Sequence, residues 1–311
     1  MSTPPSRLAY LGPPGTFTEA ALLTVPEAKF ATFDPRATIS EAIAAVRRGE
    51  ADAAMVPLEN SVEGSVNFTL DELAFGADEL SIRREVLLPI TISLLARPGV
   101  ALSDITAVLS MPHGVAQCRA FLSSSLPLAA IEATTSTAEA ARLVALSVEP
   151  IAALGAPIAA KEYGIEVLVN DVGDNPNAMT RFVLVGRSSS PPPAASGTDR
   201  TSVVVFNDDD HPGLLLELLE EFAVRGVNLT RIESRPTKEQ MGRYCFFVDC
   251  EGHVSDARVG EALMGLKRRS AGVRYLGSYG RADVVQVAGA VKEQEFTDAA
   301  AWLAAIRTGT S

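Results

Sequence analysis

A chain of 311 residues, 47% hydrophobic and 21% charged, has the composition of a folded globular protein of about two domains, not of a disordered or fibrous one. Its formal net charge of −11 argues against nucleic acid as a partner, although a locally positive pocket stays open to small anions. Cys118, Cys245, Cys250 and the three histidines show no CxxC or HxxxH spacing, which argues against a disulfide framework and a protein-held metal.

No apolar run reaches the roughly 20 residues of a membrane helix, and the opening residues lack the basic-then-apolar order of an export signal. The expectation is a reduced, cytoplasmic protein with no membrane contact. The clearest boundary is the Ser/Pro-rich stretch Ser188–Gly197, an extended linker. The reading places a first domain at 1–187, a linker at 188–199, a second domain at 200–281 and a tail at 282–311.

Before the linker, short apolar strands alternate with helical stretches, which predicts an α/β fold with much parallel sheet. Leu8–Leu11 reads as a strand that turns at Gly12-Pro13-Pro14-Gly15 into a helix opened by a Thr16/Glu19 capping box. Thr38/Glu41 and Ser136/Glu139 repeat the device. Strands are predicted at Ala53–Val56, Ala107–Leu109, Ile151–Leu154 and Arg181–Val185. Leu87–Ala96 reads as one long strand crossing between lobes. Helices are predicted from about Gly114 and over Ile158–Tyr163. The Gly12–Gly15 turn is neither a Walker loop nor a GxGxxG turn, so nucleotide binding has no motif support.

After the linker the order is strand Thr201–Phe206, helix Leu214–Arg225, strands Val227–Glu233 and Tyr244–Asp249, helix Val259–Lys267, strand Val273–Tyr279. That βαββαβ order is the α+β ferredoxin-like unit. Leu215, Leu218, Leu219 and Phe222 are its expected buried helix face. A tail helix is expected over Ala299–Ile306, with Trp302 as a packing anchor.

Four clusters in the first domain carry polar groups where a strand meets a helix or turn, the usual crevice edge of an open α/β sheet. Gly15–Glu19 suits carboxylate binding and reads equally as a plain cap. Pro57–Ser61 with Gly64-Ser65 reads equally as an Asx turn. Ser110 and Gln117 flank another junction, where Cys118 reads as a small buried hydrophobe. Thr180 and Arg181 follow an Asn-Pro-Asn loop, and alone are weak.

Together these stretches resemble a known family. Tyr10–Ala21, reading YLGPPGTFTEAA, Val56–Ser61 with Gly64, and Thr180-Arg181-Phe182 resemble the three signatures of prephenate dehydratases. Glu233-Ser234-Arg235-Pro236 resembles the ESRP motif of their ACT domain. The resemblance covers about residues 7 to 281 and implies that 1–187 is a two-lobed, periplasmic-binding-protein-like catalytic domain, with lobes of about 1–90 with 170–187, and 91–169, followed by a regulatory ACT domain at 200–281. It implies prephenate as substrate, phenylpyruvate, water and carbon dioxide as products, no cofactor, L-phenylalanine as effector, and a homodimer or homotetramer.

Carried over residue by residue, the resemblance gives Thr180, Arg181, Phe182, Asn60, Glu59 and Gln117 as catalytic. Thr16, Ser61 and Ser110 bind substrate. Gly213, Leu214, Leu215, Asn228, Leu229, Glu233 and Ser234 bind effector. Thr180 is the hydroxyl at the leaving group, and Arg181 either forks onto a carboxylate or holds its neighbours. Arogenate dehydratase and a non-catalytic amino-acid sensor are the alternatives. Two departures stand out: Ser110-Met111-Pro112-His113 where relatives read Ser-His-Pro-Gln, and Leu214 where relatives carry Ala.

Overall fold

The computed structural model describes residues 6–76, 80–188, 191–207, 211–238, 242–283 and 290–309. The chain divides into two compact units, Met1–Leu70 with Val86–Val185, and Asp71–Glu85 with Gly186–Ser311. Ser189 and Ser190 of the expected linker, and 284–289 of the expected tail, lie outside the described residues.

In chain order up to the linker the elements are β1 (Arg7–Leu11), α1 (Phe17–Leu22), β2 (Thr32–Arg36), α2 (Ile39–Arg48), β3 (Ala53–Asn60), β4 (Gly64–Ser65), α3 (Asn67–Phe75), β5 (Leu80–Pro89) and β6 (Ser93–Ala96). There follow β7 (Ala107–Ser110), α4 (Pro112–Ala116), α5 (Arg119–Ser125), β8 (Ala130–Ala133), α6 (Thr137–Leu146), β9 (Ile151–Gly155), α7 (Ile158–Tyr163), β10 (Glu166–Val169) and β11 (Met179–Arg187). They form two sheets, ordered β2-β1-β3-β11-β5 and β10-β6-β9-β7-β8.

Each sheet carries one lobe. Side chains alternate across a strand, and in the second sheet both faces are buried. Leu94, Val108 and Leu154 enter one core, while Leu95, Leu109 and Ala153 enter the other. Strands buried on both sides read as continuous apolar runs, which is why β7 and β9 are recognisable from sequence. The first lobe's core gathers Leu8, Tyr10, Met55, Phe182 and Leu184.

The predicted strand over Leu87–Ala96 is two strands of different sheets. β5 stops at Pro89, which has no N–H to continue a ladder, and β6 starts at Ser93. The intervening residues cross between lobes beside the returning chain: Ile90 N donates to Ala178 O (2.8 Å) and Val172 N to Ile92 O (2.7 Å). The helix expected from about Gly114 begins earlier, with Pro112 at its first turn, and breaks at Gln117 before α5.

The three capping boxes differ in detail. Thr16, Thr38 and Ser136 each accept from the N–H three residues on. The reciprocal carboxylates reach elsewhere: Glu19 takes Gly15 N, Glu41 takes Ala37 N, and Glu139 pairs with Arg142.

The second unit contains β12 (Asp199–Phe206), α8 (Leu214–Ala223), β13 (Leu229–Pro236), β14 (Tyr244–Glu251), α9 (Ala257–Arg269), β15 (Gly272–Gly280) and α10 (Ala290–Thr308). The antiparallel sheet is ordered β13-β14-β12-β15, with Val203, Val205 and Val248 packed on Leu218, Phe222, Val259 and Leu266.

Leu215 is not part of that face. It is 40% exposed, and Glu221 is buried instead, where Arg225 and Arg269 pair with it. Trp302, the expected packing anchor, is 65% exposed.

Residues 71–85 belong to this unit and carry many of its polar contacts. Asp71 takes Arg235 (2.6 and 2.9 Å) and Lys238 (2.6 Å). Arg274 donates to the carbonyls of Leu73 and Gly76, where a cation suits the C-terminal end of α3. Glu85, fully buried, pairs with Arg200 and accepts from Ala282 N. Gly277 lies so close to Ile82 that a Cβ there would stand 2.3 Å from the Ile82 carbonyl oxygen.

Candidate active site

A cavity of about 850 Å³ opens between the two sheets of the first unit. Phe17 and Ile90 sit where the two lobe cores meet and contribute to its wall. Gly12, Pro13 and Pro14 of the Gly12–Gly15 turn line one side. Gly15 has φ +85°, a conformation that suits glycine, and a Cβ there would lie 3.1 Å from Ala159. The turn is tied to the second lobe by Tyr163, whose hydroxyl donates to Pro14 O at 2.7 Å.

Thr180 and Phe182 both line the cavity. They stand two apart on β11 and so share a face, while Arg181 between them turns the other way. Arg181 is buried outside the lining, with Nη1 3.9 Å from Glu59 Oε2. Its guanidinium therefore does not fork onto a substrate carboxylate in this arrangement, and Glu59 stands with it outside the lining.

Asn60 ends β3 and points its amide at Thr180: Nδ2 donates to Oγ1 at 2.8 Å. The Asn60 carbonyl oxygen accepts from the N–H groups of Val62 (2.8 Å) and Glu63 (3.1 Å). The Asx turn and the polar site, alternatives in the sequence, are one structure: the turn orients the amide. A threonine hydroxyl has one proton. With its oxygen receiving from Asn60, that proton is left for the cleft.

Ser61 lies outside the lining and registers β11 instead, exchanging bonds with Met179 through its N–H (2.8 Å) and its hydroxyl (2.9 Å). Thr16 lines the cleft as the cap of α1, its hydroxyl donating to Leu11 O. Ser110 is fully buried and absent from the lining, its hydroxyl donating to Leu154 O at 3.0 Å. Cys118 is buried, and burial pushes its thiol up to about 12.

Gln117 lines the cleft, and so do two residues the motifs do not single out as site residues, Glu63 and His113. Glu63 Oε1 accepts from Gln117 Nε2 at 3.0 Å, and His113 Nδ1 stands 3.0 Å from the same oxygen. The sequence signal for Glu63 is its place three residues after Asn60, in the same turn. Arg36 is the arginine on the wall, and its guanidinium is engaged by Asp34 (2.7 Å) and Glu50 (3.2 Å). Among the described residues, His, Cys, Asp and Glu side chains form no group of three or more able to hold a metal.

In the second unit the proposed effector residues fall into two places. Gly213 caps α8 at φ +95°, with open space where a Cβ would stand, and Leu214 and Leu215 follow it. Asn228 is exposed beside half-buried Leu229, and its carbonyl accepts from Glu251 N. On β13 the alternation separates Glu233 from Ser234. Glu233 shares the half-buried face with Arg231 and Arg235, and Ser234 is exposed on the other.

The sequence pattern of the prephenate dehydratase family matches residues 8–190, and that of the ACT domain residues 201–268. A prephenate dehydratase of Amycolatopsis methanolica is 47% identical over 306 residues, covering 98% of this chain and 99% of its own. One from Mycobacterium tuberculosis is 45% identical over 97% of this chain and 94% of its own. The crystal structure of a prephenate dehydratase from Arthrobacter aurescens in complex with L-Phe superposes with a TM-score of 0.89 at 49% identity, covering 97% of this chain and 99% of that one. With both patterns in order and relatives matched along nearly their whole length, the chain belongs to the prephenate dehydratase family, with an ACT domain following its catalytic domain.

Proposed function

We propose that this enzyme converts prephenate to phenylpyruvate, carbon dioxide and water in the cleft of the first unit, with Thr180 as the donor to the departing hydroxyl. The observation that carries this reading is the Asn60-to-Thr180 hydrogen bond inside a largely apolar cavity.

The ring carboxylate's C–C bond breaks, releasing carbon dioxide, and its electron pair enters the ring. The C–O bond para to it breaks, and the hydroxyl leaves with that bond's electron pair, becoming water with one proton that comes from solvent and is relayed through the Thr180 hydroxyl. Aromatisation supplies the driving force, so the protein's task is to hold the dianion and stabilise the leaving oxygen. Threonine is too weak an acid to be a proton reservoir. Thr180 acts as a positioned donor whose bond strengthens as charge develops on the oxygen. Phe182 and Ile90 keep water from the ring, and the low local dielectric strengthens the hydroxyl's interaction.

The ACT domain serves feedback inhibition by L-phenylalanine, as the L-Phe complex of the Arthrobacter aurescens relative supports. The segment before α8 and the Glu233–Pro236 stretch are the effector's place. Inhibition then requires that phenylalanine bind a less active arrangement better than the active one. Exposed Leu216 and Met264 on α8 and α9 are the apolar surface through which subunits pair, into a dimer or tetramer. The three free, buried cysteines suit a reducing cytoplasm. Among the described residues no helix is long and apolar enough to cross a membrane.

The test is purified protein with prephenate, read by phenylpyruvate absorbance, with arogenate in parallel and L-phenylalanine titrated in. Turnover of prephenate far above arogenate is expected. Preference for arogenate, or no turnover of either, overturns the reading. Sedimentation gives the subunit number.

A further inference from the structure

Glu63 places a carboxylate on a cleft that is to receive a dianion, and that carboxylate is already bound. Its Oε1 accepts from Gln117 Nε2 and has His113 Nδ1 3.0 Å away, both side chains coming from α4 and its C-terminal residue in the opposite lobe. His113 and Gln117 are four residues apart, so they project from one side of that short helix. Glu63 itself is held from behind, its N–H donating to Asn60 Oδ1 at 3.1 Å. All three side chains line the cavity, and Glu63 and His113 remain partly open to solvent (37% and 63%).

From this arrangement we propose that His113 and Gln117 form the receiver for one carboxylate of the substrate, and that Glu63 is an internal stand-in which the substrate displaces. The inference rests on the prephenate reading and names the residues that read the substrate's retained end. Gln117, which donates to a protein carboxylate at 3.0 Å, and His113, whose ring nitrogen lies 3.0 Å from the same oxygen, are together fitted to a substrate carboxylate.

The chemistry selects which of the two. A firm bond to the ring carboxylate stabilises the form that must lose carbon dioxide and works against the reaction. The receiver therefore takes the carboxylate of the pyruvyl side chain, which survives into the product. Displacement exchanges one carboxylate for another on the same donors and relieves the repulsion between Glu63 and the incoming dianion. Because Glu63 is joined through Asn60 to Thr180, the same turn holds both the stand-in and the amide that orients the leaving-group hydroxyl.

This assigns a role to the motif departure at His113. In this chain the histidine at that position is a carboxylate contact, and Met111 beside it contributes an apolar wall.

The experiment compares wild type, Glu63→Gln, His113→Ala and the double variant. It reads kcat and KM for prephenate, and the dissociation constant of phenylpyruvate by calorimetry. Glu63→Gln keeps the shape and removes the charge. It should lower KM and the phenylpyruvate dissociation constant together by about three- to tenfold, with kcat within about twofold. His113→Ala should raise both constants about tenfold, the scale of one hydrogen bond to a charged group. In the double variant the gain from Glu63→Gln should shrink, because a stand-in matters only while its receiver is present.

A Glu63→Gln variant with raised or unchanged KM overturns the proposal, as does one whose kcat falls at constant KM. Should Glu63→Gln fold poorly, His113→Ala decides alone: unchanged phenylpyruvate affinity sinks the receiver. Phenylpyruvate binding is read without turnover, so failure of the prephenate reaction itself is told apart from failure of this inference.

Discussion

Asn60 donates its side-chain amide to the hydroxyl of Thr180 at 2.8 Å, across 120 residues of sequence. The bond fixes which way the Thr180 proton points, so the two residues act as one unit. Thr180→Val keeps the shape and removes the donor. Its kcat should fall roughly 100- to 1000-fold, the scale for losing one transition-state donor, with a much smaller change in KM. Asn60→Ala should cost less, and the double variant should be no worse than Thr180→Val within about twofold. A Thr180→Val enzyme retaining half its turnover removes Thr180 from the chemical step.

Arg181 sits between two cleft residues and faces away from both. Lysine lacks the planar fork and leaves partners of a buried guanidinium unmatched. Arg181→Lys should destabilise the protein by about 2 kcal/mol, seen as a lowered Tm, while KM for prephenate in the folded protein stays at the wild-type value. A raised KM at unchanged Tm would return Arg181 to the substrate.

Burial pushes the thiols of Cys118 and Cys250 up to about 12 and that of Cys245 to about 11, from an ordinary 9.0. The thiolate is the reactive form. Iodoacetamide at pH 8 should therefore label none of the three until denaturant is added. The linkage has a definite sign. Each folded-state value lies above the unfolded one, so this contribution to stability is complete below about pH 9. It is lost as pH rises through 11 to 12. Denaturant midpoints should fall in that alkaline window. Rapid labelling of the native protein at pH 8, followed by mass spectrometry, would contradict the buried placement.

Glu85 is paired with Arg200 out of contact with water. Removing one partner of such a pair leaves the other uncompensated, at a cost of about 3–5 kcal/mol. Glu85→Ala should shift the denaturation curve by that amount. A loss under about 1 kcal/mol would mean that Arg200 finds other partners, Asp283 being the nearest at 3.3 Å.

How far the sequence reaches depends on whether a residue's partners are local. The three caps are legible because cap and helix lie within four residues. Asn60 and Thr180 are each legible through a motif, but their hydrogen bond is not. Arg181 looks like a carboxylate clamp until Thr180 is known to face the cleft, after which strand alternation alone turns it away. Ser110 likewise reads as a binding hydroxyl, and only burial against Leu154 shows it committed.

The strand expected from the sequence starts at Leu87 and so misses β5 from Leu80 onward. Arg83, Arg84 and Glu85 interrupt the apolar pattern there, yet Glu85 is buried against Arg200, 115 residues further on. Such a partner leaves no periodicity in the local sequence. The helix α3 before it escapes notice for a related reason: its capping cation, Arg274, comes from β15.

Because Asp71–Glu85 belongs to the second unit while its flanks belong to the first, the polypeptide passes from one unit to the other three times, after Leu70, Glu85 and Val185. Regulatory domains that hang on one tether can be exchanged between enzymes as a C-terminal cassette. This one cannot be lifted out cleanly at the Ser/Pro stretch, because a cut there strands Asp71, Ile82 and Glu85 without Arg235, Gly277 and Arg200. A chimaera carrying a foreign ACT domain should fold only if the donor's own counterpart of residues 71–85 travels with it, so the unit of transplantation is two pieces of sequence rather than one.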